Sequence, residues 1–566
     1  MCNHGEIMKL RFHPKLLDTL PGYGRAQFFH DLSAGITVGV LALPLAMAFA
    51  IASGMSPAAG IWTAIVAGLL ISGLGGSRVQ VGGPTGAFIP IIYGIVATYG
   101  VANLLIATML AGALLVVMGI TRMGSFIRFI PKTVVIGLTS GIAVVVFLAQ
   151  IKDFLGLKID KLPAEFFAKI HALAGHLLTT DPTTLALSSA SLLVLLSYNR
   201  LAEKLPPLRR LPGPLAVLVL ATAATALLQL PVETIGSRFG GIPQSLPALA
   251  LPELSLGTLG HLIAPAITIA LLGAIESLLS ARVADGLIDD RHDPNQELLA
   301  QGLANLVVPL FGGFAATGAI ARTVTNIRAG GRTPVAGIVH ALTLLLVVLF
   351  AAPLAQYVPL AALSAIVVVV AVNMGEWHEF RELKRYTINY RTILLATFFI
   401  TVVFDLTLAV EIGMLLASLF FIYRMQDLAH IERIPLEDFY GDAVRDASGR
   451  MRILAFELYG TLFFGAIGKI EAQLDPQNMD ADAVILDMAK VISLDTTVLE
   501  NLDTLRRTLA KRGTALILCG LHRQPLSLLQ RSGFAKALGE HNLCDNLTEA
   551  IIHAQRIRDA NSGTAT

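Results

Sequence analysis

Apolar runs of membrane-spanning length dominate the first 425 residues, and polar residues fall in short clusters between them. A helix crossing a bilayer needs about 17–25 largely apolar residues. The pattern predicts fourteen spans, over about 33–54, 57–74, 84–99, 102–120, 125–150, 183–198, 211–230, 258–284, 297–312, 317–328, 334–352, 357–373, 392–406 and 409–425. The segments starting at Pro84 and Thr317 are short and preceded by glycines, so they are expected to cross only halfway. The last two, parted by "DLTLAVE", read as two spans or one bent hairpin. After about residue 427 the pattern changes. Stretches 451–460, 482–490 and 514–520 read as strands, and 496–513 as an amphipathic helix ending at a glycine. Strands alternating with helices predict an α/β domain of roughly 120 residues.

The expected domains are an N-terminal cytoplasmic segment (1–30), a helical membrane domain (31–426), a linker (427–446) and an α/β domain (447–560). Composition agrees: 54% of residues are hydrophobic and 14% charged, against about 25% charged in soluble domains. A net charge of +2 gives no argument for nucleic acid. The N-terminal segment lacks the compact apolar core and small-residue cleavage site of a signal peptide. Cys2, Cys519 and Cys544 are scattered, with no spacing for a metal or a disulfide framework.

Lys and Arg cluster in the N-terminal segment (Arg11, Lys15, Arg25) and in the even-numbered connections. The first, third, ninth, eleventh and thirteenth connections have none, and the seventh has Arg238. The positive-inside rule then places both termini in the cytoplasm. The fifth connection breaks the pattern with Lys152, Lys158, Lys161 and Lys169.

The chain also resembles itself. "GITVGVLALPLAMAFA" in the first span matches "AITIALLGAIESLLSA" in the eighth, with Ile36–Thr37 against Ile267–Thr268 at an offset of 231. "GGPTGAF" matches "GGFAATGAI", with Thr85–Gly86–Ala87 against Thr317–Gly318–Ala319 at an offset of 232. Seven spans separate the partners. Because seven is odd, the halves (about 31–230 and 258–426) face opposite ways. Such inverted repeats build many secondary transporters, with the site where interrupted helices meet.

Irregular backbone inside a membrane needs protein or water to satisfy it. Glycines permit the bend, and Pro84 suits a first helical turn, where its missing N–H is not needed. Both broken segments therefore read as extended lead-ins to helix N termini. Facing N termini offer free N–H donors and about half a positive charge each, a ready anion site, to which Arg322 adds a full charge. Close helix packing explains small residues. It does not explain a proline, paired glycines and an arginine at matched positions. Glu276 is the other costly residue, at roughly 2.5–3.5 kcal/mol for a charge within a span, with Ser280 one turn on. Leu45 holds its repeat-equivalent position. Glu276 reads as a coupling carboxyl for a proton or Na⁺, or as a structural ion pair with Arg322 or Arg282. Asp405 and Glu411 read as interfacial charges, and Arg282 and Asp285 as a cytoplasmic helix end.

"DLSAGITVGVLALPLAMAFAIASG", "VGGPTGAF", "IPKTVVIGLTSGIAVVVFLAQIKDFLGL", "GAIESLL", "ATGAIARTVTNIRAGGRTPVAG" and "VVFDLTLAVEIG" occur in an order that resembles the SulP anion transporters, the sulfate permease or solute carrier twenty-six family. The likeness runs from about Asp31 to the end of the α/β domain, which resembles a STAS domain. It implies fourteen spans as a 7+7 inverted repeat, split into core and gate domains, a homodimer, and elevator-like motion of the core. It implies substrate contacts at Thr85, Gly86, Ala87 and Phe88, and at Gly318, Ala319, Ile320, Ala321 and Arg322. Leu45 and Phe49 line the site from the first helix, and Glu276 with Ser280 holds the coupling ion. Two positions depart from the family. Leu45 replaces a common Gln after the proline, and Val498 replaces the Gly of an Asp-Ser/Thr-Ser/Thr-Gly turn, which puts phosphorylation at Thr496 in doubt.

The expected function is an elevator-type secondary transporter of the bacterial inner membrane, moving a dicarboxylate or sulfate with protons. The alternatives are a sodium-coupled bicarbonate transporter, an uncoupled exchanger or channel, and a membrane-tethered regulator acting through the STAS domain with a cytoplasmic partner. The motifs look most like bacterial C4-dicarboxylate members. No nucleophile–base pair, phosphate loop or metal cluster suggests an enzyme, and no cofactor beyond the coupling ion is expected.

Overall fold

The structure, a computed structural model, describes residues 12–125, 131–204, 212–244, 247, 249, 256–404, 406–428, 430–445, 449–463 and 480–563. Cys2, Arg11 and Asp405 lie outside them. The chain divides into two compact units, Met1–Met414 and Leu415–Thr566.

Each predicted span contains a helix. The first half holds α1 (Arg25–Ala52), α2 (Pro57–Leu74), α3 (Ile89–Tyr99), α4 (Val101–Ile120), α5 (Lys132–Leu155), α6 (Pro182–Lys204) and α7 (Gly213–Leu227). The second half holds α8 (Leu256–Ile288), α9 (Pro294–Val307), α10 (Ile320–Arg328), α11 (Pro334–Ala355), α12 (Leu360–Met374), α13 (Ile388–Val403) and α14 (Leu406–Leu428). The last two are therefore separate helices. Helix α10 has 9 residues, about 14 Å at 1.5 Å per residue, roughly half of a 30 Å hydrocarbon layer. Strands β1 (Gly82–Gly83) and β2 (Thr317–Gly318) precede α3 and α10.

The packing repeats with the sequence. Helix α4 packs along α9 and α8 as α11 packs along α2 and α1, and α5 packs along α13 as α12 packs along α6. Small residues set these approaches. A Cβ on Gly112 of α4 would stand 2.8 Å from the Gly302 carbonyl oxygen of α9, and one on Gly302 would stand 2.7 Å from that of Gly112. Equivalent threonines bond alike: Thr37 donates to the Ser33 carbonyl and Thr268 to that of Ala264. Helices α1–α4 with α8–α11 make one bundle, and α5 and α6 with α12 and α13 make another, the two-part division expected of a core and a gate.

In the second unit β3 (His430–Ile434), β4 (Ile453–Leu462), β5 (Ala483–Leu494), β6 (Ala515–Cys519) and β7 (Leu543–Cys544) form one sheet in that order. Strand β3 runs antiparallel to β4, and the remaining pairs are parallel. The three predicted strands are β4, β5 and β6, and the amphipathic helix is α15 (Thr496–Ala510). The stretch expected as a linker, 427–446, is corrected. Its residues 430–434 form the edge strand, with Ile431 buried and its neighbours exposed.

Candidate functional site

Strands β1 and β2 pair antiparallel, Gly82 opposite Gly318 and Gly83 opposite Thr317. The two broken segments therefore meet, as the repeat predicts. The pairing also corrects the register. Strands exchanged by a twofold operation must match position for position, so Gly82–Gly83, not Thr85–Gly86, correspond to Thr317–Gly318. The T-G-A likeness at an offset of 232 is three residues out of step with the backbone. Short strings of small residues recur by chance, and the hydrogen-bond ladder decides the equivalence.

Each strand leads to an uncapped helix N terminus. Gly86–Phe88 form one 3₁₀ turn into α3, with no cap from the Thr85 side chain. Helix α10 starts after Ala319, also without a side-chain cap. Unpaired N–H groups and the helix dipole make both ends favourable to negative charge. The Thr85 hydroxyl is buried beside the first with no partner among the described residues.

Arg322 is 1% exposed, and neither terminal guanidinium nitrogen has a hydrogen-bond partner among the described residues. A Cβ on Gly83 would stand 2.0 Å from its Nη1 and 3.4 Å from the Ala64 Cα of α2. The guanidinium thus fills a space beside β1 that exists because residue 83 is glycine, held at φ +152°. Gly86 is roomier. Its Cβ would lie 3.4 Å from the Met374 sulfur and 3.8 Å from the Phe49 ring. Phe88 reaches α8, where a Cβ on Gly273 would lie 3.5 Å from its ring. Leu45, one turn before Phe49, is buried too. Ala319 is buried, Ile320 half-buried and Ala321 exposed.

Glu276 is 9% exposed and has no hydrogen bond or ion pair among the described residues, so the pair with Arg322 or Arg282 does not form. It sits between two ties from α8 to the β2–α10 segment. Thr317 Oγ1 donates to the Gly273 carbonyl at 2.9 Å, and Ser280 Oγ to Thr323 Oγ1 at 3.3 Å. Ser280 thereby positions α10. Asp285 pairs with His292 at 2.7 Å past the site, and Glu411 is exposed. Thr496 is exposed at the start of α15, where Asp495 accepts from the Val498 N–H at 2.9 Å.

Sequence reasoning missed the residues that hold the strands. Glu297 of α9 is fully buried and accepts from Gly76 N at 2.9 Å, Gln80 Nε2 at 3.1 Å and Gln301 Nε2 at 2.8 Å. Thr323 accepts from Val81 N, and Asn326 donates to the Val79 carbonyl. Asn305 grips Ala316 by both backbone groups, and Thr63 accepts from Phe314 N. Buried polar groups need such partners. The available signal was Glu297, Gln301 and Asn305, which recur every fourth residue and so share one face of an otherwise apolar span.

The sulfate permease family profile matches residues 28–397 and the STAS domain profile residues 445–550. The Bacillus subtilis (strain 168) protein named "Putative sulfate transporter YvdB" is 41% identical over 529 residues, 93% of this chain and 98% of its own. The bicarbonate transporter BicA of Synechocystis sp. is 31% identical over 537 residues, 92% of this chain and 93% of its own. The inward-facing structure of murine Slc26a9, an anion transporter, aligns with a TM-score of 0.84 over 96% of this chain and 94% of its own, at 19% identity, a likeness of fold.

Proposed function

The chain belongs to the sulfate permease family of anion transporters, and from that premise we propose that it is a proton-coupled anion symporter working by an elevator-type movement. The observation that carries the proposal is Glu276, a buried carboxyl without a partner among the described residues, beside two uncapped helix N termini. The anion binds where Gly86–Phe88 and Ile320–Arg322 begin their helices, within reach of the Thr85 hydroxyl. Arg322 contributes charge from beside β1, with no ion pair among the described residues and little screening in a buried setting. An ionised Glu276 would oppose the anion, and a protonated one would not. Proton and anion therefore favour each other's binding, and the loaded core carries less net charge through the membrane, where charge is costly.

The relatives' names favour sulfate or bicarbonate over the C4-dicarboxylate suggested by the motifs. Bicarbonate with Na⁺ is the second reading, and the name of the relative BicA favours its bicarbonate part. The elevator movement carries α1–α4 with α8–α11 past the other bundle. The reading also takes the protein to be a homodimer of the bacterial inner membrane with both termini cytoplasmic. The test is uptake into proteoliposomes of sulfate, bicarbonate, succinate, fumarate and chloride at two pH values, with imposed proton or Na⁺ gradients. Saturable uptake of one oxyanion that follows the proton gradient supports the proposal. Uptake that follows Na⁺ instead, or neither ion, overturns the coupling.

A further inference from the structure

The four lysines of the fifth connection contradict the positive-inside rule, and the structure gives one of them an unusual place. A cavity of about 550 Å³ lies between α3, α5, the N-terminal part of α8 and the short helix Phe166–Gly175. Ile89 and Pro90, in the first turn of α3, are part of its wall, so it adjoins the candidate anion site. Lys169 lines it and is 4% exposed. Its ammonium has no hydrogen bond or ion pair among the described residues, and its contact is with the Tyr93 ring, 5.8 Å from the centroid.

The surrounding charges do not neutralise it. Glu165 borders the same cavity but is exposed to solvent. An adjoining pocket, which shares Tyr93, holds Lys152, Lys161 and Arg238 against Asp153 and Asp160. There Asp153 is taken by Arg238 at 2.8 Å. Lys152 donates to the backbone carbonyl of Asp160 at 3.2 Å. Across the two pockets Lys169, Lys152, Lys161 and Arg238 stand near Glu165, Asp153, Asp160 and Glu233, the last 3.7 Å from Arg238, and the most buried cation, Lys169, is unpaired among the described residues. A buried charge is kept without a partner only at a cost, and a cation–π contact at this distance returns about 0.5–1 kcal/mol.

We propose that this cavity is a second anion-binding site, an outer vestibule in which Lys169 captures a small oxyanion before it passes Ile89 and Pro90 to the helix N termini. The lysines that break the positive-inside rule are then the electrostatic funnel of that vestibule. The proposal rests on the transport reading and on the orientation that puts this end of the bundle outside.

The test compares Lys169→Met, which keeps the aliphatic stem against Tyr93 and removes the charge, with Lys169→Arg, which restores it. Sulfate and bicarbonate uptake is measured in right-side-out vesicles, and the same flux from the other face in inside-out vesicles. With Met the half-saturating concentration should rise about three- to ten-fold on the outer face only, and the salt dependence of uptake should weaken. Arg should return both. Unchanged half-saturation in Lys169→Met sinks the vestibule and leaves the transport reading standing. Equal losses on both faces, not rescued by Arg, would show a structural lysine and also overturn it. A wild-type protein that carries neither anion defeats the transport reading and this one with it.

Discussion

The extended segments leading into α3 and α10 share a backbone plan and differ in chemistry. Each is a pair of residues, locked to the other, that opens into an uncapped helix. At the start of α3, over residues 85–90, the side chains are apolar or hydroxyl, and Leu45 stands on the first helix. Around α10 stand Arg322, Thr323 and Asn326, with Glu276 on the eighth helix where Leu45 has its repeat equivalent. The symmetric scaffold thus frames the candidate site, and the charged side chains at the paired strands and first helical turns, Arg322 and Glu276, come from the second half.

The largest expected effect comes from removing that asymmetry. Glu276→Gln should abolish proton-driven uptake, a loss of about tenfold or more, because Gln cannot exchange a proton at any working pH. The protein should still elute as a folded species, since Glu276 holds no structural bond among the described residues. Persistent pH-driven uptake in this variant would remove Glu276 from the coupling mechanism. Leu45→Glu in the same background should not restore coupling if the second half alone carries it.

Next comes the register of the paired strands. Gly83→Val should eliminate transport, because a Cβ there collides with the Arg322 guanidinium and φ +152° is strained for any side chain. Overpacking of this kind costs about 1–3 kcal/mol. Gly86→Ala should retain most uptake, since its Cβ meets only ordinary contacts with Met374 and Phe49. Gly318→Ala should do worse than Gly86→Ala, with its Cβ 1.7 Å from Gln80 Nε2. Uptake by a small set of purified variants decides it. Equal sensitivity at Gly86 and Gly318 would favour the T-G-A alignment over the ladder.

This contrast shows what was legible beforehand. Hydropathy located the spans because a bilayer demands length, and span parity with weak self-similarity exposed the inverted repeat. The half-spans could be read from Pro84 and the glycines. The exact equivalence could not, because Gly82, Gly83 and Gly86 look alike in sequence and only the hydrogen-bond register separates them. Nor could the clamp on the first broken segment, since its side chains lie in the other half: Glu297 is 221 residues from Gly76. Arg322 was visible as a charge, but its position over Gly83 was not.

Glu297 offers a third, smaller test. The segment before α3 is held mainly by the second half, through Glu297, Thr323 and Asn326. Glu297→Gln turns one of two acceptor oxygens into a donor facing a donor, at a cost of about 1–3 kcal/mol. Thermal unfolding in detergent should fall by several degrees, and uptake should drop with it. A variant as stable as wild type would mean that the backbone ladder alone fixes this segment.

The finest distinction lies between two threonines that the sequence aligned and the structure separates. Thr317 Oγ1 donates to the Gly273 carbonyl, so its hydroxyl is spent on joining β2 to α8. Thr85 Oγ1 is buried with no partner among the described residues. Valine has nearly the shape of threonine and lacks the hydroxyl, so the same substitution asks a different question at each position. Thr317→Val should lower stability by about 1 kcal/mol, the usual net worth of a hydrogen bond, with little change in half-saturation. Thr85→Val should leave stability equal or slightly higher, because an unsatisfied buried hydroxyl is lost. It should weaken apparent affinity for the transported oxyanion several-fold, because that hydroxyl is free to donate to it. Paired unfolding and uptake curves read both. If Thr85→Val changes neither, the anion is held by the backbone N–H groups alone, and the two broken segments are more alike than their side chains indicate.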